Sequence, residues 1–133
     1  LYFSSVAKRA ESGSIEKFAA RMFQPQDIPT GYLDYVGSDL SRRRSTIKAN
    51  KGDLLVASQA LKQNFASYGR IEMPVEIIHG KEDILLPFKS QAVAFNEVIP
   101  NSRLHILPNV GHMAHHFAFK ELSNSIRYIR NFS

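Results

Sequence analysis

Two residues combine side-chain type and setting suited to acid–base chemistry: Asp83 and His112. In "VEIIHGKEDILLP" (75–87) a run suited to a buried strand stops at Gly80, and Glu82 and Asp83 follow at once. In "RLHILPNVGH" (103–112) a second such run gives way to a turn ending in Gly111-His112. A carboxylate that accepts a hydrogen bond from one imidazole nitrogen fixes the ring's tautomer. It also steadies the imidazolium formed when the other nitrogen takes a proton. Such a pair serves nucleophilic catalysis. Taken singly, each residue has a plainer explanation: aspartate after a strand is commonly a turn former, and an isolated histidine is commonly surface or core. Glycine before each, and the elements between them, favour the joint reading.

Those elements must close a gap of 29 residues. Pro74 opens a strand, Val75 to Ile78, that stops at Gly80. Residues 88–99, "FKSQAVAFNEVI", read as a helix with Ala92, Phe95 and Ile99 on one side, and 103–107 as a second strand. After the turn Pro108–Gly111, Phe119, Leu122, Ile126 and Ile129 mark a last amphipathic helix. Strand, helix, strand, helix is a βαβ unit, with parallel strands and a right-handed crossover expected. Parallel neighbours end on one edge about 4.8 Å apart, where open α/β sheets gather functional groups. Short loops there put Asp83 and His112 within hydrogen-bonding reach.

The first half is helical and irregular. Ile15, Phe18, Ala19 and Met22 share one helical face, and Leu54, Ser58, Leu61 and Phe65 another, with Leu55 alongside. "QPQDIPTGY" breaks the chain at Pro25, Pro29 and Gly31, and a weaker helical stretch runs from Tyr32 to Leu40. No strand pattern, repeat or low-complexity tract occurs.

"MPVEIIHGKEDILLP" followed by "NSRLHILPNVGHMAHH" resembles the carboxyl-terminal part of an α/β-hydrolase-fold enzyme, over about residues 73–116. In that family P-V-x-x-x-x-G-x-x-D-x-x-x-P carries the triad acid, matching Gly80, Asp83 and Pro87, and a later G-H carries the triad histidine, matching Gly111-His112. The family order of nucleophile, acid, histidine fits. The resemblance implies a partial α/β-hydrolase fold: residues 1–70 a helical cap or lid, residues 71–133 a parallel β-α-β-α part of the core. It further implies an esterase-like serine hydrolase with Asp83 and His112 catalytic. An aspartate nucleophile, as in dehalogenases and epoxide hydrolases, remains open.

The nucleophile is missing. The family holds it in G-x-S-x-G on a strained strand-to-helix turn, and no such pentapeptide occurs in the 133 residues. Ser38 in "VGSDL" and Ser58 in "VASQA" lack the preceding strand and flanking glycines. The chain is therefore expected to be part of a longer hydrolase and inactive alone. It opens on Leu1, and its natural beginning is expected upstream. The N-terminal part of the parent is then a partner, and the open sheet edges favour self-association of the fragment.

Other features have blander readings. His112, His115 and His116 have i, i+3, i+4 spacing, but no carboxylate lies near them in sequence to complete a metal site, and no metal or cofactor is expected. Met22, Phe23, Tyr32 and Phe65 are candidates to line an apolar substrate pocket for a small ester-like molecule; each taken singly is more simply cap core. Of the 17 Lys and Arg, 11 fall in residues 1–70 against six acids there, with Arg42, Arg43 and Arg44 in a row. A basic nucleic-acid-binding domain is one rival and a non-catalytic interaction module on a hydrolase scaffold the other. Without a nucleic-acid-binding motif, a solvated helix face is the preferred account of the charge, and no nucleic-acid partner is expected. With no cysteine, disulfides and thiolate chemistry are excluded. The absence of a signal-like or membrane-length apolar run favours the cytoplasm, with no membrane partner.

Overall fold

Apolar residues at three- and four-residue spacing fold as α1 (Ile15–Phe23) in the computed structural model, which describes residues 15–37 and 44–132. The described residues divide into two compact units. One runs to Arg21 and from Asp27 to Phe65; the other comprises Met22–Gln26 and resumes at Ala66.

The first unit is helical. α2 is only Tyr32–Tyr35, entered from Gly31 at φ 77° and followed by Gly37 at φ 61°, whose N–H donates to the Asp34 carbonyl at 3.1 Å. A left-handed glycine just past a helix stops it, because an L side chain is disfavoured there. The helical stretch expected from Tyr32 to Leu40 is therefore interrupted early, and Ser38 and Leu40 lie outside the described residues. α3 (Arg44–Asn64) is one helix of 21 residues containing Ser58; Phe65 starts a 3-10 stretch to Arg70. Arg42 and Arg43 lie outside the described residues.

The second unit contains the sheet. β1 (Val75–Gly80) and β2 (Ser102–Leu107) are parallel, with Ile77 opposite Leu104 and Gly80 opposite Leu107. The protein is thus a mixed α/β chain with a two-stranded parallel sheet among the described residues. Period-two alternation puts Ile77, Leu104 and Ile106 on one face and Glu76, Arg103 and His105 on the other. The expected helix over 88–99 is divided: a 3-10 turn, Phe88–Ser90, precedes α4 (Ala92–Val98). Ile99 adopts extended backbone, as a residue before proline prefers. α4 packs on both strands, and Ser102 Oγ ties its end down by donating to the Ile99 carbonyl at 2.8 Å.

α5 (Phe119–Arg130) packs on β1 with an unexpected side. Ser125 is buried beneath it, whereas Phe119 and Ile126 are each 67% exposed. The reason is the polar sheet face opposite: Ser125 Oγ donates to Glu76 Oε2 at 2.8 Å, and Arg103 stacks its guanidinium 3.9 Å from the centre of the Tyr128 ring. A face built of a carboxylate, a guanidinium and an imidazole selects the helix side that can hydrogen-bond to it.

Candidate active site

The loops leaving the two strands stay hydrogen-bonded beyond the sheet. Lys81 N–H donates to the Leu107 carbonyl at 2.9 Å and Glu82 N–H to the Val110 carbonyl at 3.0 Å. Gly80 permits this approach: a Cβ there would collide with the carbonyl oxygens of Gly111 and Val110. Gly111 has the same role on its other side, where a Cβ would run into the Gln24 carbonyl. Gln26 adds a hydrogen bond from Nε2 to the carbonyl of Asn109, a residue at φ 56°. The segment Met22–Gln26 therefore braces the turn that carries His112.

Within this frame Asp83 and His112 meet. Asp83 is 8% exposed. Its Oδ1 accepts the N–H groups of Leu85 and Leu86, both at 2.8 Å, which fixes the carboxylate's orientation. Its Oδ2 lies 2.9 Å from His112 Nδ1. Burial alone would push the Asp83 carboxyl up. The hydrogen bond from His112, the Leu86 and Leu85 amides and the attraction of a charged His112 outweigh it, so the group lies below its ordinary value of 3.8. An ionised carboxylate only accepts, so His112 Nδ1 carries the proton and donates. In the neutral ring, Nε2 then keeps its lone pair as a base.

His79, the penultimate residue of β1, is the next neighbour. Its Nδ1 lies 2.8 Å from the Gly80 carbonyl, and its Nε2 3.6 Å from Asp83 Oδ2. Ile78, His79, Gly80, Asp83, Leu86, His112 and Ala114 line a cavity of about 170 Å³. Small and mostly apolar apart from the carboxylate and imidazoles, it can admit a compact reacting group and can exchange a proton at an imidazole.

The other candidate residues are placed as follows. Phe23 is fully buried, its ring centroid 5.2 Å from that of His116 and 6.1 Å from that of Phe117. Met22 is half-buried, and neither lines the cavity beside His112. In the helical unit Tyr32 is half-buried and Phe65 is 39% exposed. His115 is exposed; what burial it has, and the neighbouring charges of His116 and His112, lower its ring below the ordinary 6.5. Among the described residues no three metal-ligating side chains converge.

Sequence reading missed a second polar cluster, on the opposite face of the sheet. Glu76 Oε2 accepts from His105 Nε2 at 2.7 Å as well as from Ser125, and Oε1 lies 3.3 Å from Arg103 Nε. The signal was present: a lone acid inside an aliphatic strand, and Arg and His two apart in the next. Only the register, which sets Glu76 opposite Arg103, joins them.

No known protein-family model matches the chain, and no curated protein or solved structure is significantly similar to it.

Proposed function

We propose that this chain is the carboxyl-terminal part of an α/β-hydrolase-fold enzyme, supplying the acid and histidine of a catalytic triad whose nucleophile lies outside it. One observation carries the reading. A buried carboxylate, oriented by two backbone amides, presents its second oxygen to the Nδ1 of an imidazole at the shared rim of two parallel strands.

In this mechanism His112 Nε2 takes the hydroxyl proton of the nucleophile as its oxygen attacks the acyl carbon of a small apolar ester. Asp83 holds the ring and stabilises the imidazolium through Nδ1–H. The same proton passes from Nε2 to the departing alkoxide, leaving an acyl-enzyme. Water, deprotonated by Nε2, then attacks the acyl carbon, and Nε2 returns that proton to the departing nucleophile oxygen as the acid is released. Fully buried Phe23 supports the turn after His112.

The test uses the longest natural polypeptide containing this chain, with a short-chain p-nitrophenyl ester and a fluorophosphonate label. The expectation is esterase activity that drops on the order of 10³- to 10⁴-fold in D83N and H112N, with the labelled residue outside these 133. Activity indifferent to both substitutions would refute the reading. The isolated chain is expected to self-associate, through the open edges of its two strands and the bare Phe119–Ile126 stripe of α5. A monomer by light scattering at high concentration would count against that.

A further inference from the structure

We propose that His79 is a positioning residue for the Asp83–His112 pair: it shares the Asp83 carboxylate with His112 and so keeps His112 in its unprotonated, base form to lower pH. The inference rests on reading Asp83 and His112 as an acid–base pair.

The orientation of His79 follows from its own backbone. A carbonyl oxygen only accepts, so the 2.8 Å contact with Gly80 requires Nδ1 to donate. That bond turns Nε2 toward Asp83 Oδ2, the oxygen His112 already uses. Neutral His79 faces the carboxylate with a lone pair and gains nothing from it. Protonated His79 carries an N–H there and is attracted. One carboxylate then compensates two imidazoles, and a proton on His79 weakens the support for a proton on His112.

The side chains involved are 15% exposed for His79, 29% for His112 and 3% for Asp83, so solvent screens this competition only in part. Other titratable groups nearby are Lys81 and Glu82 in the same turn, and His115 and His116 on the turn after His112. His115 and His116 stack on each other with centroids 4.5 Å apart.

The test is an NMR pH titration of the five histidine rings in this chain, for the parent, H79N and D83N. The H79N side chain can still donate an amide N–H toward the Gly80 carbonyl but carries no charge. His105, bound to Glu76 on the other sheet face, reports whether each variant stays folded. The expected result is that H79N raises the His112 midpoint and leaves His105 unchanged. If H79N does not fold, H79Q replaces it with the same expectation. An unmoved or lowered His112 midpoint in a folded variant overturns the role of His79. D83N separates the two ideas: a lowered His112 midpoint there keeps the acid–base pair even where the His79 proposal fails, and no response to D83N removes the pair itself.

Discussion

The N–H of Glu82 donates to the carbonyl oxygen of Val110 at 3.0 Å, joining the turn that carries Asp83 to the turn that carries His112. The geometry of the Asp83–His112 pair is thus set by backbone before any side chain is involved. The strands end at Gly80 and Leu107, and this bond prolongs their alignment into the loops. The 2.9 Å contact between Asp83 and His112 is a consequence.

Substitution of the bracing glycines should therefore be costly. A methyl group at Gly80 or Gly111 meets backbone carbonyls, which cannot rotate away. G80A and G111A are expected to lose at least about 2 kcal/mol in urea unfolding. Gly52, inside α3 with no atom near its would-be Cβ, gives the opposite result: G52A is expected to gain about 0.5–1 kcal/mol. Equal effects at the three positions would show that close approach is not what those glycines provide.

Asp83 should leave a mark on acid stability. Its carboxyl lies lower in the folded chain than the ordinary 3.8, so the folded state binds fewer protons there. The stabilisation is complete above 3.8 and is lost as pH falls through the lower folded value. The unfolding free-energy difference between the parent and D83N is expected to shrink below pH 3.8. His115 acts in a separate window: its ring is lowered, so stability falls as pH drops below 6.5. H115Q should remove that slope, a small one because the residue is exposed. A difference between parent and D83N that stays constant down to pH 2 would contradict the Asp83 assignment.

Glu76 should matter to stability. Its side chain is 4% exposed and serves His105, Ser125 and Arg103 together. E76A leaves His105 and Ser125 without their acceptor and Arg103 without its ion-pair partner, and is expected to cost about 2–4 kcal/mol. The tautomer of His112, on the turn at the strand ends, should be unchanged by NMR. A stable E76A chain would show that the cluster is solvated and replaceable.

How much of this was legible in the sequence depended on how local the signal was. Asp83 and His112 could be paired because each sits a short step beyond a strand, and parallel strands leave little freedom in where those steps end. The strands run a residue or two longer than their sequence pattern implies. The helical pattern over 88–99 is divided in the fold at Gln91, whose φ −118° and ψ −81° make a break that apolar spacing does not register. α5 was found, yet its apolar residues gave no warning that Ser125 would face the sheet; that follows from Glu76, 49 residues earlier. The bracing by Gln24 and Gln26 is non-local in the same way, since only the fold brings them to Gly111 and Asn109.

The state of the His112 ring tests the central claim most directly, by nitrogen-15 NMR of this chain near neutral pH. The account predicts that the ring, where it is neutral, carries its proton at Nδ1, with a strongly downfield Nδ1 proton that D83N abolishes. A ring protonated at Nε2, or one whose signals ignore D83N, would contradict it.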